Sequence, residues 1–485
     1  EVLRARTSLM VPSDRLRDIL PDDPGAGIAA LPDYASLVPD VPRYAPNTRL
    51  AYGPLNPMQP PDLAGASNAW AAGIERSAAG ATLLANDPHL VLTAPTIWYL
   101  ARMELQSGGV IGGTIPGMPA ILSGRSADLG WGITSSYLDD LDVVLEQLNQ
   151  ANPEEYRTPT GWAKFRARDS IIAIKNAPAV TLKLLWSENG PVMPGAQFNL
   201  GAVTPAGYVA AINWTALSDQ DTSMSALLAV GRARNVQDGI RAAAPFIAPS
   251  QNLILADRTQ IAMKTIGAVP ARDINHQSKG RLPSYGYLPE NRWQGIMPYA
   301  SNPEFVNPNG GILGNTNNKT VDRPFPNNIS YLWGDTQRIN RWNRLMQSRE
   351  VHTRESFIEA QLDTVSYTAR SLLPLIGADL WFTGEAAPEG TPVRRRQQAL
   401  ELLAAWNGDM NEHLPEPLLY AAWLRSLNER LIRDELGPLS SEFTRADPVF
   451  IERVFRNTDG AAVWCDVVQS APIETCTDIA RLALD

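Results

Sequence analysis

From residue 67 to about residue 149, apolar and small residues alternate with polar ones in short runs separated by Gly, Pro, Asn and Asp. A period of two over four to eight residues predicts half-buried strands, so 81–85, 97–104, 109–115 and 119–122 read as successive strands of an antiparallel sheet. The same pattern continues through 171–174, 180–186 and 208–214. After Asp221 the spacing changes, and Met224, Leu227, Leu228 and Val230 fall on one face of a predicted helix. Strands return at 253–256 and 261–266, followed by a long segment rich in Pro, Asn and Gly up to about 328. From Ser356 onward the chain is mainly helical in composition, most clearly over 395–405 and 418–433. Pro415 and Pro417 open the second of these, where proline fits because the first N–H groups of a helix have no partner within it. Upstream, 13–19 predicts a short helix and 39–61 an extended Pro-rich run. Strands first and helices later, with helices also between strands, define an α+β layout.

Composition narrows the field. A chain of 485 residues can bury a large core, and its length alone suggests two to four domains. Its net charge of −9 and scattered arginines argue against a nucleic-acid partner, because phosphate binding draws on clustered Lys and Arg. There is no run of eighteen apolar residues, so no membrane span is expected. The chain opens on Glu1 without a charged-then-apolar leader, so any signal peptide is expected to have been removed or to lie upstream. Cys465 and Cys476, eleven apart with no His nearby, make a poor zinc site. A local disulfide would place the protein in the periplasm or outside the cell, and two buried thiols in a cytosolic protein is the alternative. Gly25-Ala26-Gly27-Ile28-Ala29-Ala30 approaches the dinucleotide fingerprint, but no strand precedes it.

The candidate chemistry centres on Ser67, at the start of a predicted strand and preceded by Gly65 and Ala66. Small neighbours leave the hydroxyl room to approach its own preceding carbonyl. Were the Ala66–Ser67 bond cut, the new α-amine would lie beside that hydroxyl. With an ordinary pKa of about 7.7–8.0, it could accept the hydroxyl proton near neutral pH. A Ser-Asn pair at a strand start is otherwise an ordinary loop-to-strand junction.

Several motifs follow in order: Asn86-Asp87-Pro88-His89, Pro95-Thr96-Ile97-Trp98-Tyr99, Gly113-Thr114-Ile115-Pro116-Gly117, Trp131-Gly132-Ile133-Thr134 and Asp139-Asp140-Leu141-Asp142. In that spacing the stretch from about Ser67 to about Arg344 resembles the penicillin acylase family of N-terminal nucleophile hydrolases. That family includes penicillin, cephalosporin and acyl-homoserine lactone acylases. The resemblance implies a four-layer αββα sandwich with additional helical regions. It implies a small chain ending at 66 and a large chain of 67–485 that together form a heterodimer from one precursor. It further implies a small-molecule acyl amide as substrate and no organic cofactor.

Residue by residue, the resemblance makes Ser67 the nucleophile, with the backbone N–H of Ser135 and the side chain of Asn317 as oxyanion donors. His89 would help orient the amine, and Arg338 would hold the region of the catalytic Asn. Asp139, the carbonyl of Leu141 and Asp142 would bind one structural calcium ion, together with a Glu from the chain before the cleavage point. Each has a plainer reading. Asn recurs in turns because it tolerates left-handed backbone, an acidic cluster is commonly a solvated turn, and an Arg often serves a surface ion pair. Where many members carry Gly-His-Asn, this chain has Gly124-Arg125-Ser126. The expected chain on either side is also longer than the present one.

Other functions compete. Gly124-Arg125-Ser126-Ala127-Asp128 approaches the Gly-x-Ser-x-Gly elbow of other serine hydrolases but lacks the second glycine. The Ser-x-x-Lys of penicillin-binding transferases is not found. A non-catalytic scaffold, or an unprocessed precursor, would keep the fold without the cut. The acyl group could be a penicillin side chain or that of an acyl-homoserine lactone. Trp98, Trp131 and Tyr137 are available to line an apolar pocket for it.

Overall fold

The computed structural model describes residues 1–21, 65–90, 93–104, 106, 108–334, 337–381, 384–443 and 447–485. The near-fingerprint at 25–30 and the Pro-rich run at 39–61 lie outside the described residues. The described chain divides into two units, one of 1–5, 65–334 and 346–361, the other of 6–21, 337–345 and 362–485.

In the first unit the strand Ala66–Ala72 pairs antiparallel with Leu83–His89 on one side and Ile312–Asn315 on the other. A seven-stranded antiparallel sheet runs Glu304–Val306, Ile261–Ile266, Gln251–Ala256, Gly130–Ser135, Ser123–Arg125, Val110–Thr114 and Tyr99–Met103. A third sheet is built on Leu141–Asn149 and Tyr208–Trp214, with Ser284–Tyr285 added as a parallel strand.

Side chains along a strand point alternately to its two faces, and both faces of the seven-stranded sheet are covered. Leu253, Leu255, Ala262 and Ile266 point one way, onto Val230, Val236, Ile240 and Phe246 from the helical stretch that includes Ser223–Val230 and Val236–Ala242. Ile254, Ala256, Ile261 and Met263 point the other way, onto Ala69, Ala71 and Leu313 of the three-stranded sheet. Burial on two faces is why 253–256 and 261–266 read as continuous apolar runs. Each fully buried aliphatic side chain of this kind contributes about 1.5–3 kcal/mol. On the far face of the small sheet Trp70 packs against Phe357 of the helix Arg354–Gln361, with ring centroids 5.9 Å apart.

The two sheets meet closely because small residues line the contact. A Cβ added at Gly132 would come within 2.7 Å of the Asn86 Cβ, so only glycine fits there. Asn86 Nδ2 donates to the carbonyls of Asn68 (2.8 Å) and Ile133 (3.0 Å), and its Oδ1 accepts from Ile133 N (3.2 Å). One side chain thus rivets the strand Leu83–His89 to both Ala66–Ala72 and Gly130–Ser135. Pro88 lies in Leu83–His89, at the edge of its sheet, where a missing N–H is tolerated.

One predicted strand is corrected. Residues 119–122 form a loop with Ala120, Ile121 and Leu122 buried, and the strand follows at Ser123–Arg125. Apolar content there reflects core filling, and Leu122 N bonds Gly113 O outside any ladder. The strand predicted at 81–85 begins and ends later, at Leu83–His89.

The second unit is helical. Pro415–Leu436, opened by its prolines as expected, buries Trp423, Leu427, Leu431 and Leu436. The Trp423 indole donates to Ala480 O at 2.9 Å on Cys476–Leu484. Cys465 and Cys476 form a disulfide. Asp18, on the short helix Ser13–Ile19, is fully buried and is held by Arg15 (2.9 Å), Arg453 (3.0 Å) and the Trp464 indole (3.0 Å).

Candidate active site

Ser67 is the second residue of Ala66–Ala72 and lies on the same face as Ala69 and Ala71, the face that meets the seven-stranded sheet. Its hydroxyl therefore points at the end of Gly130–Ser135. Ser135 N approaches Ser67 Oγ at 3.4 Å, and Asn317 Nδ2 donates to the same oxygen at 3.0 Å. Asn317 Oδ1 accepts from Ser67 N at 2.9 Å, and Asn317 Nδ2 also reaches Ser135 O at 3.1 Å. Ser67 and Asn317 are buried. Asn317 has φ 68°, a left-handed conformation that Asn adopts more readily than most residues. Two donors thus sit beside one buried hydroxyl, next to the place where the oxygen of a carbonyl attacked by that hydroxyl would take up negative charge.

His89 pairs in register with Ala66, but its half-exposed ring turns to Asp87, with Nε2 2.9 Å from Oδ2. Asp87 Oδ2 also accepts from Asn68 Nδ2 at 3.2 Å. Arg338 lies partly buried on the helix Gln337–Gln347, in the second unit.

Asp139, Leu141 and Asp142 lie at the start of the strand Leu141–Asn149. Buried Arg272 reaches between the two aspartates. Its Nε and Nη2 hold both Asp142 oxygens at 3.0 and 2.9 Å, and its Nη1 lies 3.1 Å from Asp139 Oδ2. The Trp293 indole also donates to Asp142. Burial works to raise the Asp142 carboxyl, yet the guanidinium outweighs it and holds Asp142 below the ordinary aspartate value. Asp139 is pushed up to about 7 by burial, against the pull of Arg272 and with repulsion from Asp142. A third carboxylate, Glu1, accepts from Val143 N at 3.1 Å and is raised well above its usual range by burial and by Asp142. Three acids thus face one guanidinium. Among the described residues, however, no three His, Cys, Asp or Glu side chains are gathered closely enough to hold a metal ion as they stand.

Of the candidate pocket aromatics, Trp131 belongs to the core and donates to Ile121 O at 3.0 Å. Tyr137 has φ 52°, and Trp98 lies against Gly113. A cleft of about 830 Å³ sits at the opposite end of Gly130–Ser135, where Arg125, Asp128, Arg234 and Arg258 line it. A smaller apolar cavity of about 300 Å³ is lined by Tyr99, Met103, Met118 and Ile121. Ser67, Ser135 and Asn317 line neither. Sequence reasoning missed Asn86 and Asn315 as parts of the site's frame, although Asn86 stands in a motif already singled out.

A serine at a strand start thus faces a side-chain amide and a backbone N–H across a sheet interface, on a mixed helix-and-sheet fold. The chain belongs to the penicillin amidase family, whose model matches residues 1–485. It is 28% identical over 384 residues to an acyl-homoserine lactone acylase, QuiP, of Pseudomonas aeruginosa, covering 77% of this chain and 45% of that protein. It is 26% identical over 377 residues to penicillin G acylase of Escherichia coli, covering 76% of this chain and 42% of that protein. The chain therefore spans just under half the length of these relatives. The fold resembles that of a thermostable penicillin G acylase from Alcaligenes faecalis, with a TM-score of 0.69 at 20% identity over 86% of this chain and 77% of that one.

Proposed function

We propose that this chain is the catalytic part of an acylase that hydrolyses a linear amide through an acyl-enzyme on Ser67, after its own Ala66–Ser67 bond has been cut. The observation that carries the proposal is the convergence of Asn317 Nδ2 and Ser135 N on Ser67 Oγ, from positions 250 and 68 residues away. Family membership supports the reaction class. Ser67 Oγ attacks the acyl carbonyl while its proton passes to the Ser67 α-amine, and the oxyanion forms against the two donors. Collapse expels the substrate's amine, which takes that proton, and leaves an ester on Ser67. Water then attacks the ester with the α-amine again as base, releasing the acid. In the uncut chain the Ser67 nitrogen is an amide and cannot accept the proton, so that form is inactive.

The layering of helix, seven-stranded sheet, three-stranded sheet and helix supports reading the first unit as the four-layer αββα sandwich of the N-terminal nucleophile hydrolases. The disulfide supports a periplasmic or extracellular location. The substrate class is a small acyl amide. Among the relatives both penicillin G and acyl-homoserine lactone acylases occur.

We also propose a structural calcium ion held by Glu1, Asp139, Asp142 and the Leu141 carbonyl. What supports it is charge. Arg272 balances one of three buried carboxylates, and a hard divalent cation drawing the other two together would balance the rest. A chelator should lower the melting temperature and calcium restore it, and an unchanged melting curve would remove the ion from the proposal.

The central test is N-terminal sequencing with mass analysis of purified protein. A large chain beginning at Ser67 is expected, together with complete loss of both cutting and activity in Ser67→Ala. Cleavage between 66 and 67 in that variant, or activity in material still joined there, would overturn the mechanism.

A further inference from the structure

Behind the two donors lies a fully buried polar cluster that the reaction scheme does not use. The carboxamide oxygen of Asn315 accepts three hydrogen bonds from three segments of chain. They come from Asn317 N at 2.8 Å, Thr134 Oγ1 at 2.7 Å and Asn252 Nδ2 at 3.2 Å. Asn252 Oδ1 in turn accepts from Thr265 Oγ1 at 2.8 Å. Thr134, Asn252 and Thr265 are inaccessible to solvent and Asn315 is 1% exposed, so no water is on hand to replace a lost bond. A buried amide oxygen deprived of its donors costs about 1–3 kcal/mol, so the cluster persists only while its members stay in place.

The connectivity is specific. Asn317 N belongs to the residue whose side chain is one donor, and Thr134 immediately precedes Ser135, whose N–H is the other. Asn252 and Thr265 pair in register on the neighbouring strands Gln251–Ala256 and Ile261–Ile266, and Asn252 pairs with Thr134. The sheet interior is thereby tied to the Asn turn at 315–318. The left-handed backbone of Asn317, which carries its amide toward Ser67, is held by the bond from its own N–H to Asn315.

We infer that Asn315 is a positioning residue. Its carboxamide oxygen is a single anchor that aims both oxyanion donors at once, and Thr134 and Asn252 fix that anchor to the sheet. The inference rests on the proposed role of Ser67, Ser135 and Asn317.

Thr134→Val tests it, because it keeps the side-chain shape and removes one of the anchor's donors. Rates are taken with a chromogenic amide and expressed per mole of chain beginning at Ser67. Since a displacement of about 1 Å can cost about 10²-fold in rate, kcat should fall by about 10-fold or more with KM within about twofold. Thr134→Ser, which restores the hydroxyl, should return kcat to within about threefold of the unmodified protein. In an Asn317→Ala background the Thr134→Val loss should shrink to less than about threefold, because one of the two aimed groups is gone. An undiminished kcat in Thr134→Val, a loss confined to KM, or a loss of full size in the Asn317→Ala background would each overturn the inference. Should Thr134→Val fail to fold, Thr265→Val, one bond further from the site, decides by the same coupling to Asn317→Ala. Normal turnover in Asn317→Ala alone is a different result, because it would overturn the proposed site itself.

Discussion

Asn317 makes two demands on one carboxamide: its oxygen receives the Ser67 N–H while its nitrogen faces the Ser67 hydroxyl. In the proposed mechanism both the nucleophile's orientation and the charge that develops next to it therefore pass through a single side chain. Asn317→Ala should lower kcat by about 10²–10³-fold, the usual loss for one oxyanion donor. Steady-state kinetics on the cut chain would show it, and near-normal turnover would take Asn317 out of the site. Ser67, Ser135 and Asn317 were named from the sequence through the family resemblance, and the fold brings the three side by side. The direction of the His89 ring could not be read from the sequence, because it is set by a neighbouring carboxylate, Asp87, and that geometry exists only once Ala66–Ala72 and Leu83–His89 have paired. Asn86 and Asn315 were hidden for a related reason. An asparagine that ties sheets together looks, in one dimension, like an asparagine in a turn.

Among the elements, the predicted strands 208–214 and 261–266, the second of them covered on both faces, coincide with Tyr208–Trp214 and Ile261–Ile266. The run at 119–122 misled because burial can fill a loop as well as a strand. Helices were read from composition and from their prolines, and Pro415–Leu436 begins where those prolines stand. Near the end of that helix Glu435 is pushed up to about 9, first by burial and then by a hydrogen bond and charge from Asp434, and one of its oxygens is buried without a partner. A carboxyl raised on folding contributes stability that is whole below about pH 4.5 and is lost as pH rises through about 9. Glu435→Gln does not titrate, so its melting temperature should exceed that of the unmodified protein by a margin that grows from about pH 4.5 to about pH 9. Melting curves at several pH values would check this, and a margin that is flat or reversed would refute it.

Taken as one molecule, the chain's α+β character was legible, because strand periods and helix periods occupy different stretches. The division into two units was not. Residues 1–5 belong to one unit and 6–21 to the other, a split set by which distant residues close around them. Glu1 is bound to Val143 N, and Asp18 is buried among Arg15, Arg453 and Trp464. Both lie upstream of the proposed cut, and both grip residues downstream of it. The pieces 1–66 and 67–485 should therefore elute together in size-exclusion chromatography under native conditions and separate only on denaturation. Loss of the smaller piece from native material would contradict this.

The bond proposed to break lies inside a hydrogen-bonded ladder, since Ala66 is paired with His89 just as Ser67 is with Pro88. While that linkage lasts, the proposed mechanism puts the Ala66 carbonyl carbon in the seat that an incoming acyl carbon would need. Under the proposed mechanism latency would require no separate inhibitor, because each molecule would be plugged by its own backbone and would become available to others only after serving itself.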